Sequence, residues 1–180
     1  MENLVLKFIS LVILCQSLLG CTTFTSPLQK TSALNDNMGY VYGRFDLDAQ
    51  KFLLGGHLKS GIGITEKQSS GEYLIEFSPD DSISIIEVKP GLYNLSKFVF
   101  AYAGGGSGGE KPITSPYLKE SFYVKAGKAY YIGDYEGSSG KTYGSFHWSV
   151  DSFRNNFDET TNDLKQVFPN FEWGQFDSAI

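Results

Sequence analysis

From Tyr40 onward, apolar and polar residues alternate in short runs. Val41, Phe45 and Leu47 fall on one side of an extended segment and Tyr42, Arg44 and Asp46 on the other, which predicts a half-buried strand. Tyr73, Ile75 and Phe77 form a second apolar face, and Ile83 to Val88 a third strand whose alternation slips between Ile85 and Ile86, as a bulge would make it. Pro90-Gly91 then turns the chain into a long strand over Leu92 to Tyr102. Phe122 to Lys125 leads through Ala126-Gly127 into Ala129 to Tyr135, the pattern of a hairpin. A last strand over Tyr143 to Val150 places Phe146, Trp148 and Val150 inward and His147 outward.

One segment follows the helical period. Phe153, Phe157, Leu164 and Val167 fall on roughly one face, Asn156 can cap, Asp158 and Glu159 occupy the first turn, and Pro169 ends the run. The pattern as a whole predicts a mainly β fold. It is a single antiparallel β-sandwich of about seven or eight strands with one C-terminal helix lying against it.

Composition agrees, because 14 Phe, 11 Tyr and 20 Gly suit short strands and tight turns better than helices. The net charge of −5, with scattered basic residues, argues against nucleic acid as a partner.

The first residues follow a different rule. Lys7 precedes a largely apolar stretch, Phe8 to Leu19, which has the length of an export-signal core and is short of the roughly 20 apolar residues a spanning helix needs. It runs into Leu18-Leu19-Gly20-Cys21, which resembles the lipobox of bacterial lipoproteins. The resemblance implies signal-peptidase recognition through Leu18, Leu19 and Gly20, cleavage before Cys21, and lipidation of the Cys21 thiol. It thus implies a signal peptide over 1–20, a lipidated tether over 21–37 and the sandwich domain over 38–180. Two or three fatty chains hold durably where one does not.

Cys15 would leave with the signal peptide and Cys21 would be consumed by lipid, so the mature chain would carry no thiol for a disulfide, a nucleophile or a thiolate metal site. The stretch from Thr22 to Asn37 is rich in Thr, Ser, Gln and Asn and reads as a solvated tether with a reach of roughly 55 Å. In enteric lipoproteins an Asp after the cysteine favours the inner membrane. Thr22 at that position places the expected location in the bacterial cell envelope, at the outer rather than the inner membrane.

Two further segments, Val88-Lys89-Pro90-Gly91-Leu92-Tyr93-Asn94-Leu95 and Phe122-Tyr123-Val124-Lys125-Ala126-Gly127-Lys128-Ala129-Tyr130-Tyr131-Ile132-Gly133, resemble stretches of small bacterial lipoproteins with a sandwich of transthyretin or carboxypeptidase-regulatory type. The resemblance covers about Gly39 to Val150 and implies a fold, with no reaction attached.

Few residues suggest chemistry. Ser139-Gly140-Lys141-Thr142 matches the end of a phosphate-binding loop, but Tyr135 stands where its first Gly belongs, and a hairpin turn is the better reading. His57, in a Gly-rich turn, and His147 are too few to build a metal site or a Ser/His/Asp triad. Asp80-Asp81 reads as a solvated turn. Tyr123, Tyr131 and Tyr135 read as sheet-stabilising residues, with an exposed aromatic strip as the alternative. The first candidate for a binding loop is Gly104, Gly105, Gly106, Ser107, Gly108 and Gly109.

These features lead to the expectation of a membrane-anchored, non-catalytic binding or structural module with no cofactor and no metal. Its expected partners are the membrane, through the lipid, and an envelope protein or cell-wall polymer. An envelope hydrolase, or a carrier of a small ligand, with a site assembled only in three dimensions stays open as the alternative.

Overall fold

The structure, a computed structural model, describes residues 24–47, 57–69, 71–76, 83–103, 109–113, 115–118, 121–142 and 145–180. Among them the chain is mainly β, with a single helix near the C-terminus. The strands are β1 (Phe24–Thr25), β2 (Gly39–Leu47), β3 (His57–Glu66), β4 (Glu72–Glu76), β5 (Ile83–Val88), β6 (Gly91–Ala103), β7 (Gly109–Ile113), β8 (Ser121–Val124), β9 (Ala129–Thr142), β10 (Ser145–Arg154) and β11 (Phe176–Ser178). The helix α1 spans Phe157–Val167.

Two sheets share them. One runs β1-β4-β3-β6, with β8 and β7 following each other along the free edge of β6; the other runs β10-β9-β2-β5, with β11 beside the start of β9. The expected sandwich is therefore present, with more strands than the pattern announced and mixed directions. β2 pairs with β9 in parallel, as do β1 with β4 and β11 with β9. The alternation of a strand reports its two faces and not its neighbour's direction, so parallel pairing leaves no mark in the pattern.

The sheets meet over one apolar core that includes Val41, Phe45, Ile62, Ile64, Ile75, Ile86, Tyr93, Leu95, Phe98 and Ile132. The opposite face of the β2-β9 sheet is covered as well, giving a third layer. There Tyr40, Tyr42, Ile85 and Tyr131 pack against Leu164, Phe168, Phe171 and Phe176, with Leu28 and Leu34 at the margin. Ile85 and Ile86 thus face different cores. The β2-β5 register runs unbroken from Gly39↔Val88 to Arg44↔Ile83, so burial on both faces, rather than the expected bulge, explains the slip.

The register does break between β2 and β9, where Tyr42 pairs Tyr131 and Arg44 pairs Asp134. The extra residue lies at Ile132-Gly133. Gly133 has φ +120°, a region L-residues avoid, and a Cβ there would lie 2.4 Å from Cε2 of Phe153. This bulge lets Ile132 and Tyr135 face the inter-sheet core while Tyr131 and Asp134 face the helix.

Several expectations need correction. His57 begins β3 rather than a turn. The stretch read as a solvated tether is docked from Phe24 on: β1 pairs with β4, the Leu28 N–H donates to the Ile85 carbonyl at 2.7 Å, and Leu28 and Leu34 bury apolar surface that offsets the cost of ordering them. Phe153 lies on β10 and packs toward the inter-sheet core, away from the helix face expected for it.

Candidate functional site

The residues first singled out fall mostly beyond the described part. Leu18, Leu19, Gly20 and Cys21 lie outside the described residues, as do Gly104 to Gly108, Phe77 and Asp80-Asp81. Gly109 opens β7, paired with Tyr102. Ser139 to Thr142 are the last residues of β9, paired with Trp148 to Ser145, so they precede the hairpin turn as strand residues and do not form a phosphate-binding loop. His147 pairs with Gly140 in that ladder. Tyr131 and Tyr135 are fully buried on opposite faces of the sheet, whereas Tyr123 is 55 % exposed, so the three form no common strip.

The described residues do contain a polar constellation that the pattern did not announce. It sits on the helix face of the β2-β9 sheet, around Asp134. Oδ1 of Asp134 accepts the Tyr131 hydroxyl at 2.9 Å and Oδ2 accepts Nδ2–H of Asn156 at 3.1 Å. Oγ1 of Thr160 lies 2.9 Å from both oxygens. Arg44 reaches the same group, Nε lying 3.9 Å from Oδ2 of Asp134, while its Nη2 meets Oδ2 of Asp163 at 2.5 Å. The hydroxyls of Tyr42 and Thr161 share a hydrogen bond of 2.6 Å.

The arrangement follows from local sequence. Asn156 occupies the N-cap position but makes no side-chain bond to the helix; it donates to Asp134 instead, and its N–H donates to the Tyr131 hydroxyl at 3.0 Å. Thr160 and Thr161, in the first turns of α1, are turned to the sheet and buried. Arg44, expected on a solvent face, lies under the helix and pairs with its acidic exposed side.

Chemically this is a latch. The Tyr131, Asn156 and Thr160 donors tie Asp134 to both sheet and helix, and directional bonds so placed fix one relative placement of the two. Burial pushes the Tyr42 and Tyr131 phenols well above their ordinary value, the hydrogen bonds from Thr161 and the Asn156 backbone opposing it. A neutral, hydrogen-bonded phenol suits a structural role better than that of a base at neutral pH. Among the described residues no three His, Cys, Asp or Glu side chains converge as a metal set.

The latch was missed because it joins residues far apart in sequence. Its only local trace is Asp134 interrupting an aromatic run, Tyr130-Tyr131-Ile132-Gly133-Asp134-Tyr135. The chain has no match among protein-family models, curated proteins or solved structures.

Proposed function

We propose that the chain is a bacterial envelope lipoprotein, anchored by lipid on Cys21 and facing the envelope as a non-catalytic binding or structural module. The observation that carries the reading is Leu18-Leu19-Gly20-Cys21 at the end of the apolar stretch that begins at Phe8. Two features of the fold support the second half. The one buried carboxylate among the described residues is consumed in a latch between sheet and helix. The strands flanking the glycine-rich segment, β6 and β7, end at Ala103 and begin at Gly109, opposite the end at which β1 enters its sheet.

The test has two arms. Cells fed a labelled fatty acid should label the wild type and not Cys21→Ala, and label retained on the variant would defeat the anchor. Crosslinked membranes should yield a partner with the wild type that is lost on deleting Gly104 to Gly109. Identical catches would remove the loop.

A further inference from the structure

Little chain separates Cys21 from the first strand. β1 begins at Phe24, three residues after Cys21, so Cα of Cys21 lies within about 11 Å of Cα of Phe24 whatever path joins them. The expected free tether of roughly 55 Å is thereby shortened to a few residues. The direction of entry is also set. Because β1 runs parallel to β4, with Phe24↔Leu74 and Thr25↔Ile75, the chain arrives from the end of the sheet where β4 begins.

That end is built around Gly91. Lys67 follows β3, donates its N–H to the Leu92 carbonyl and reaches Oγ of Ser121 with its ammonium. Lys89 stands two residues before Gly91, and Lys125 follows Val124, the pairing partner of Gly91. All three lysines are exposed, and so is the large side chain of Tyr123, paired with Leu92. Of the acids at this end, Glu66 is half-buried against Gly91 and accepts the Ser69 hydroxyl, Glu87 is half-buried with Oε2 3.5 Å from the Tyr40 hydroxyl, and Glu72 is paired with Lys97 at 3.0 Å. Exposed Asp36 lies beside Gly127, while exposed Glu172 and Asp177 follow α1, Asp177 pairing with Tyr130 in the other sheet.

We infer that this end, through Lys67, Lys89, Lys125 and Tyr123, rests on the anionic phosphate headgroups of the bilayer that holds Cys21. The inference depends on the anchor proposed above. The short link keeps the lysines within reach of the headgroups, where each basic residue near an anionic surface contributes about a fivefold bias. Tyrosine suits the headgroup level because its ring is apolar and its hydroxyl wet. The domain then stands upright, the far end of β6 about 40 Å above the surface.

The test uses the full lipidated protein in vesicles of phosphatidylethanolamine and phosphatidylglycerol that contain a nitroxide-headgroup lipid. Gln68→Cys in the β3-β4 turn and Ser149→Cys on β10 each accept a fluorophore. The expected result is strong quenching at position 68 and little at 149. Quenching at 68 should fall on Lys67→Glu, Lys89→Glu and Lys125→Glu together, by about fivefold per lysine in the population of the resting orientation. It should also fall for the wild type in 1 M salt, where screening length drops to about 3 Å, which covers a triple variant that fails to fold. Vesicle flotation with equal quenching at both positions, or quenching at 68 indifferent to salt and charge, would overturn the orientation while leaving the anchor standing. Absence of acyl mass on Cys21 together with loss of flotation would overturn both.

Discussion

The two faces of the β2-β9 sheet are both buried, yet they are held by different forces. Toward the other sheet the contacts are almost wholly apolar: Val41, Phe45, Ile86 and Ile132 meet Ile62, Ile64, Leu95 and Phe98. Toward the helix, Tyr40, Tyr42 and Tyr131 supply aromatic area, with Phe171 edge-on to Tyr40 at 5.1 Å, and the Asp134 network supplies direction. Apolar burial is strong and indifferent to register, whereas hydrogen bonds are weaker and specific. A sheet already has its register fixed by backbone ladders. A lone helix lying on a sheet has none, and the latch provides it.

The largest test of this contrast is Phe98→Ala. Phe98 is fully buried between the sheets and meets the Tyr135 ring at 5.1 Å, so the loss should be about 4 kcal/mol in chemical denaturation, with protection falling across both sheets together. Protection lost in one sheet alone would show that the sheets are not a single cooperative unit. Next comes Asp134→Ala, which strands the Thr160, Asn156 and Tyr131 donors. It should cost about 2 to 3 kcal/mol and speed amide exchange over 157–167 with little change in β3 and β6. Uniform acceleration would break the distinction.

Taken per side chain and per pH unit, the smallest effect is alkaline. Burial pushes the Tyr42, Tyr131, Tyr93 and Tyr135 phenols above the ordinary value of 10.0, so the folded state prefers them neutral. Their contribution is complete below pH 10 and is lost as pH rises through and beyond it, at about 1.4 kcal/mol per pH unit for each phenol. Exchange over α1 should quicken before that of the sheets, because Tyr42 and Tyr131 bind its threonines and N-cap. Sheets opening first would contradict the assignment of the weaker layer.

Much of the inter-sheet face could be read from the chain, because Val41, Phe45, Ile75 and Ile132 obey a period of two. β3 could not. Gly61 and Gly63 empty the positions between Ser60, Ile62 and Ile64, so the segment resembles a turn; yet Gly63 is needed, since a Cβ there would lie 2.8 Å from Oγ of Ser96, the unpaired residue of a bulge in β6. The helix was legible from Asn156 to Pro169. Its attachment was not, because Tyr42 and Thr161 are 119 residues apart and nothing in either neighbourhood announces the other. Local patterns report burial, and a long-range hydrogen bond has no local pattern.

The parallel pairing of β2 with β9 also bears on timing. Tyr40 finds Ala129 about ninety residues later, and the centre of the sheet cannot close until that segment exists. Until then β2 offers an unpaired edge to any neighbouring chain. Contacts of such separation slow folding toward milliseconds or seconds and leave the nascent chain open to aggregation and to helpers that shield it. The same ladder that makes the finished sheet continuous is thus the step that a cell must wait for.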